Sequence, residues 1–184
     1  PQIISEFKPN SIIKLYQKNG ATFGANDGCS SEIEDELFNF AHRLDIISTE
    51  AFYSNVVFLV EGQSEILFYK ALSREIGIDL DKLNISILMV DGIGFQPYIR
   101  VLNLLQIPWV MRTDNDIFEI SPKSNIYRYA GIQRSLTIYE KFKKVENYSS
   151  DIINSINKIS DFTQPIDAEV ECSAFSIIKF LEPF

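Results

Sequence analysis

Val56-Val57-Phe58-Leu59-Val60, running straight into Glu61-Gly62-Gln63-Ser64-Glu65, is the stretch that decides the fold. Five apolar residues without a polar interruption predict a strand buried on both faces, the kind found in parallel sheets covered by helices. Gly62 lets the chain turn sharply at the strand's end. Ser64 is placed to cap a helix, and Glu65 enters its first turn, where the helix dipole favours a negative charge. The pattern then predicts an amphipathic helix over Ser64–Ile76, with Leu67, Ala71, Leu72 and Ile76 on one stripe.

Downstream, the same alternation repeats. Ile85–Val90 predicts a second buried strand, and Asp91-Gly92-Ile93-Gly94 a turn. Phe95–Leu105 predicts a second helix with Tyr98, Val101, Leu102 and Leu105 facing the core. Pro108–Thr113 predicts a third strand, with Trp109 in the core, ending in Asp114-Asn115-Asp116. Strand, helix, strand, helix, strand is the signature of an α/β parallel sheet with right-handed crossovers. Gly131–Lys144 predicts a further helix, Asp151–Ile159 a short one, and Ala174–Leu181 a last apolar one. Upstream, Ser11–Tyr16 predicts a strand followed by a polar turn at Gln17–Gly20. Ile33, Leu37, Phe40, Ala41 and Leu44 recur at helical spacing over Glu32–Ile47.

The chain has 184 residues, of which 46% are hydrophobic, enough for a real core. No run approaches the roughly 20 apolar residues of a membrane-spanning helix, so no membrane association is expected. Cys29 and Cys172 fit no metal-binding spacing, which predicts reduced thiols in a cytoplasmic protein. A net charge of −8 argues against a simple nucleic-acid binder and is compatible both with an acidic metal site and with an ordinary soluble domain. The chain begins at Pro1 rather than Met and is read as a piece of something longer.

Both acidic clusters fall at carboxyl ends of expected strands, where open parallel sheets bind ligands. Glu61 and Glu65 can face one crevice, and a period of two puts Asp114 and Asp116 on one side. Three or four carboxylates around one pocket suit Mg²⁺ or Mn²⁺, which can polarise a phosphate and activate water. Taken singly, each acid is more often a helix cap than a ligand; their order along the strand–helix series is the stronger signal. Asp91 also lies at a strand tip, but Asp91-Gly92 reads as turn chemistry. Arg112, Lys123, Arg128, Arg134, Lys141, Lys143 and Lys144 make residues 112–144 locally basic, either a phosphate-contacting surface or a solvated face. His42, the single histidine, reads as a surface or packing residue, and no nucleophilic triad can be built around it. There is no Gly-x-x-x-x-Gly-Lys-Ser/Thr phosphate loop.

Val56–Glu65, Gly77–Asp91 and Ile107–Asp116 resemble the Toprim domain, in the version found in OLD-family (overcoming lysogenization defect) nucleases, which include the nuclease subunit of Gabija-type antiphage systems. Tyr129–Arg134 is similar to a Gly-Leu-x-Arg stretch after the family's Asp-x-Asp, and residues 1–20 look like the last strand of a preceding ATPase domain. The resemblance implies a Rossmann-like Toprim sheet with helices on both faces, a short N-terminal strand segment and a helical C-terminal extension. It places the end of an ATPase domain and a connecting helix at 1–48, the Toprim core at 49–145, and a truncated extension at 146–184. It implies Mg²⁺- (or Mn²⁺-) dependent DNA cleavage in phage defence, with Glu61, Glu65, Asp114 and Asp116 as catalytic and metal-binding residues and Arg134 and Arg128 as phosphate contacts. Glu61, Asp114 and Asp116 would hold one metal, with Glu65 helping a second site; Glu61 would also have acid/base work. The implied partners are DNA, an ATPase domain of the same full-length chain, and further copies in an oligomer. A further acid and a lysine are expected just beyond Phe184, with Glu171 and Lys179 as poor substitutes, so the piece would fold and bind one metal but cut DNA slowly or not at all. The alternative is a Toprim-like interaction module assembling with an ATPase or helicase partner. A phosphatase using Asp as nucleophile is disfavoured, because Asp-x-Asp follows the third strand rather than the first.

Overall fold

Asn19 and Gly20 are where the described chain first reverses. The computed structural model describes residues 13–25, 50–90, 94–122, 124–143, 148–164 and 166–182. Asn19 and Gly20 both have positive φ, 53° and 78°. That two-residue turn matches the twist of an antiparallel pair, and joins β1 (Leu15–Lys18) to β2 (Ala21–Gly24). The strand expected to end at Tyr16 runs on through Gln17 and Lys18, and of the polar turn expected over Gln17–Gly20 the last two residues make the hairpin turn. Ser11 and Ile12 lie outside the described residues, as do Cys29, the helix expected over Glu32–Ile47 with His42, the turn Asp91–Ile93, Lys123 and Lys144. The Lys14 ammonium donates to the Ser54 carbonyl at 2.9 Å, and burial pushes its pKa down.

The chain divides into two compact units, Pro1–Arg112 and Thr113–Phe184. In the first, β3 (Val56–Val60) leads to α1 (Gln63–Glu75), the short α2 (Leu80–Leu83), β4 (Ile85–Met89), α3 (Phe95–Leu104) and β5 (Trp109–Met111). The sheet is parallel with order β4-β3-β5, so the strand that opened the sequence reading is its centre. Val57, Leu59 and Val60 are fully buried, which is why an unbroken apolar run is tolerated there. Val60, Ile66 and Ile87 form a core cluster against which Phe58, Tyr69, Leu80 and Met89 pack.

The helix α1 turns a different face inward from the stripe read in the sequence. Ile66 and Ser73 are buried and Tyr69 packs beside them, whereas Leu67, Leu72 and Ile76 are 63%, 38% and 59% exposed. Ile66, Tyr69 and Ser73 recur at i, i+3 and i+7 and do form one face. A buried serine hid that face, and the richer apolar arc beside it drew the reading. The Ser73 hydroxyl is satisfied by the Lys70 carbonyl at 3.0 Å. The helix α3 behaves as expected: Tyr98, Val101, Leu102 and Leu105 are all buried. Trp109 is half-buried rather than central, and its indole N–H donates to Asn103 Oδ1 at 2.9 Å.

The second unit pairs β6 (Ile117–Glu119) antiparallel with β7 (Tyr127–Tyr129), then continues through α4 (Ala130–Lys143), α5 (Ser150–Ser160) and α6 (Ala168–Leu181). Its core is Ile132, Leu136, Ile159, Phe162, Val170, Ala174 and Ile177. The helix α6 starts at Ala168 rather than Ala174, because Asp167 caps it by accepting from the Val170 N–H at 2.8 Å. Glu169 and Glu171 then occupy the first turn, where the dipole favours them; read as polar residues, they had masked the start. The result is α/β, a three-stranded parallel sheet flanked by helices, with a helical C-terminal part. Among the described residues no helix is long and apolar enough to cross a membrane.

Candidate metal centre

Glu61 follows the last residue of β3 directly and is half-buried. Gly62 is the N-cap of α1 and has no side chain to satisfy the helix's first N–H groups. Glu65, at the third helical position, reaches back instead. Its Oε2 accepts from the Glu61 N–H and from the Gly62 N–H, both at 2.9 Å. Its Oε1 pairs with the Arg112 guanidinium just past β5. That strand is held in register by the Arg112 N–H donating to the Leu59 carbonyl at 2.9 Å. Arg112 also lies 5.9 Å from the centroid of the Tyr69 ring, within cation–π range, and Tyr69 meets Phe58 edge-on at 4.8 Å.

The strand β5 stops at Met111, so Asp114 stands beyond its tip rather than on it. What fixes the acidic triplet is the start of α4. The Ala130 N–H donates to the Asp116 carbonyl at 2.8 Å. The Ile132 N–H donates to Asn115 Oδ1 at 3.0 Å. Gly131 lies so close that an added Cβ would stand 2.6 Å from the Asp114 carbonyl oxygen and 2.9 Å from Asn115 Cα. Asp114 and Asp116 are exposed. The middle residue, passed over in the sequence, is thus the one that caps the helix. Asn115→Ala is expected to cost about 1 kcal/mol, the usual worth of such a cap, read as a lower midpoint in denaturant unfolding; Asn115→Asp should keep most of it.

Of the two arginines expected to touch phosphate, Arg134 donates to Thr113 Oγ1 at the head of the triplet. Arg128 is held by the Ser160 carbonyl at 2.7 Å and by Asp161 Oδ1 at 2.9 and 3.0 Å, beside the end of α5. Glu171 and Lys179 lie exposed on α6, and Lys179 sits 4.9 Å from the Phe175 ring centroid.

With these positions in view, the chain can be set beside known proteins. Residues 52–116 match the family model of the overcoming lysogenization defect protein-like TOPRIM domain. Over those residues the chain is similar to an OLD-like Toprim domain. The Toprim match begins before β3 and ends on Asp116, so it takes in both acidic clusters. Over 141 residues the chain is 24% identical to Endonuclease GajA of Bacillus cereus (strain VD045); the alignment covers 75% of this chain and 23% of that protein. The chain therefore spans about a quarter of that relative's length. It is also similar to the solved C-terminal region of the Xanthomonas campestris pv. campestris OLD protein, with 25% identity and a TM-score of 0.48, over 73% of this chain and 49% of that one.

The Toprim carboxylates are hard oxygen donors of the kind that divalent Mg²⁺ and Mn²⁺ prefer. The local structure brings Glu61 together with Glu65, and holds Asp114 and Asp116 on either side of the capping Asn115. Among the described residues no three His, Cys, Asp or Glu side chains stand close enough to form a ready-made metal cluster. Each acidic cluster, taken by itself, offers carboxylate oxygens of the kind a divalent ion takes. Both Glu65 oxygens accept hydrogen bonds within the protein.

Proposed function

We propose that this chain is part of the catalytic region of a metal-dependent endonuclease that hydrolyses phosphodiester bonds in DNA and serves in phage defence. The observation that carries the reading is Glu61, placed at the carboxyl end of the central parallel strand inside the Toprim match. Ligands of open parallel sheets bind at that edge. Likeness to a relative named as an endonuclease supports the reaction class.

In this reading Glu61, Asp114 and Asp116 hold Mg²⁺ or Mn²⁺, with Glu65 helping a second metal site. When bound, the metal supplies charge for the phosphate oxygens and lowers the pKa of an attacking water. Glu61 is the group that moves a proton at the reacting oxygen. The first turn of α4, through the Asn115 and Asp116 contacts, holds the aspartate pair in place. Arg134, which donates to Thr113 at the head of the triplet, and Arg128, beside the end of α5, are the candidate phosphate contacts. In the same proposal DNA is the substrate, an ATPase domain of the same full-length chain is the partner, and the setting is cytoplasmic.

Two measurements test this. Titration with MnCl₂ should show binding by the chain and a loss of more than about tenfold in Asp114→Ala, a penalty of about 1.4 kcal/mol or more, with unfolding of the metal-free protein unchanged. Nicking of supercoiled plasmid should need Mg²⁺ or Mn²⁺ and stop with a chelator. Unchanged Mn²⁺ affinity in Asp114→Ala would sink the assignment.

A further inference from the structure

We infer that the β6–β7 hairpin, which follows the acidic triplet directly, is an arm that grips duplex DNA through the minor groove. The inference deepens the nuclease reading and rests on it for the choice of partner. Ile117 opens β6 and is the residue after Asp116, so the arm begins where the triplet ends. Its register pairs Phe118 with Arg128, and one step further out the Ile120 N–H donates to the Ile126 carbonyl at 2.9 Å. A period of two then fixes the two faces of the ribbon. Tyr127 and Tyr129 lie on the face that packs on Phe162, with ring centroids 6.3 and 5.0 Å from it. Phe118, Ile120, Ile126 and Arg128 share the other face. There Phe118 is 44% exposed, Ile120 39% and Ile126 38%. Pro122 is exposed in the turn beyond them.

These apolar side chains add little to the core, which lies on the tyrosine side of the hairpin. Base edges in the major groove are read largely by side-chain amides, carboxylates and basic groups, and the outer face carries no Asn, Gln, Asp or Glu. Phe, Ile and Pro beside an Arg are instead the residue types that enter the minor groove and wedge between base steps. The Arg128 guanidinium donates to the Ser160 carbonyl and to Asp161 Oδ1, which pins the root of the arm to the end of α5. The chain's charge of −8 argues against a grip made mainly of phosphate contacts; an apolar wedge does not need one. Continuity selects DNA as the occupant. A duplex whose backbone reaches Asp114 and Asp116 must pass the hairpin that starts at the next residue. Unstacking a step there opens the duplex beside the proposed metal centre, and it costs least at a mismatch or a flexible step.

The test is fluorescence anisotropy of labelled duplexes with the full chain in EDTA, where nothing is cut. One duplex is fully paired and the other carries a central mismatch. Wild type should bind the mismatched duplex about tenfold tighter, because part of the unstacking is already done. Phe118→Ala, and separately the double change Ile120→Ser with Ile126→Ser, should weaken that binding by at least about fivefold, the low end for a lost stacking side chain, and remove the preference. Melting temperatures should stay at the wild-type value, because the truncated side chains are exposed. Leu67→Ser, which alters an exposed apolar residue of α1, should bind like wild type. The inference is overturned if Phe118→Ala binds both duplexes as wild type does, if wild type shows no preference, or if wild type binds neither. A Phe118→Ala chain that keeps its DNA affinity but no longer self-associates in sedimentation would assign the face to a second copy of this chain. Metal-free binding also separates the two levels. Loss of binding in the arm variants, with no Mn²⁺ uptake by wild type, would keep the arm and sink the nuclease reading; normal Mn²⁺ uptake with no effect of the arm variants would do the reverse.

Discussion

Gly131→Ala is expected to lower the stability of the second unit and to weaken Mn²⁺ binding at the same time. The change adds one methyl group, and two effects compete. Alanine is a better helix former than glycine by at most about 1 kcal/mol, and less at a helix end. Against that, the new Cβ would stand 2.6 Å from the Asp114 carbonyl oxygen, 2.9 Å from Asn115 Cα and 3.0 Å from the Asp114 carbonyl carbon. These are backbone atoms, which cannot swing aside as the end of a long side chain can. Overpacking of that kind costs about 1–3 kcal/mol, so the clash wins. The relief must come from moving the triplet off α4, which breaks the Asn115 cap on Ile132 and the Asp116 contact with Ala130. Thermal unfolding should fall by several degrees, since about 1 kcal/mol shifts a domain of this size by roughly 2–4 °C. A melting temperature equal to wild type, with unchanged Mn²⁺ affinity, would show that α4 does not hold the aspartates.

The parallel sheet was legible because burial on both faces leaves an unmistakable pattern. Val56–Val60 is an unbroken apolar run and Ile85–Met89 one broken only by Ser86, and each became a strand. The helix α3 was legible for the same reason, with Phe95, Tyr98, Ile99, Val101 and Leu102 all buried. The elements that escaped reading are those specified by something other than apolar period. The helix α2 is four residues long and depends on the Asp79 carboxylate accepting from the Lys82 N–H at 3.0 Å. The hairpin of β6 and β7 has exposed residues throughout β6, so alternation has nothing to report there.

At the site, residue types and their order were readable, and local roles were not. The spacing of Glu61, Gly62 and Glu65 announced a turn with acids on it, but it could not say that Glu65 would spend both oxygens on the protein. That depends on Arg112, far along the chain, whose position follows from the pairing of β5 with β3. Likewise Asn115 looked like a spacer between two aspartates. Its work is visible only once α4 begins beside it, and Gly131 explains why a residue without a side chain must stand there. In both cases the acids are candidates named from sequence, while the groups that hold their backbone in place come from pairing between distant segments.

Glu61→Gln is the change expected to cost the most activity for the least structural disturbance. The side chains have nearly the same volume, so packing at the end of β3 should hold. The contacts that fix this turn are made by the Glu61 and Gly62 backbone N–H groups, which the substitution leaves in place. What is removed is one negative charge, and with it a strong oxygen donor for a divalent ion and a site that can take up a proton. Loss of general acid–base function alone is worth about 10²–10⁴ in rate. Metal-dependent plasmid nicking should therefore fall by at least roughly 100-fold, with Mn²⁺ affinity reduced in the same variant. The metal-free protein should unfold within about 0.5 kcal/mol of wild type, as expected where no packing or cap is lost. The opposite pattern, full nicking with a less stable fold, would make Glu61 a structural residue of the turn and move the chemistry elsewhere.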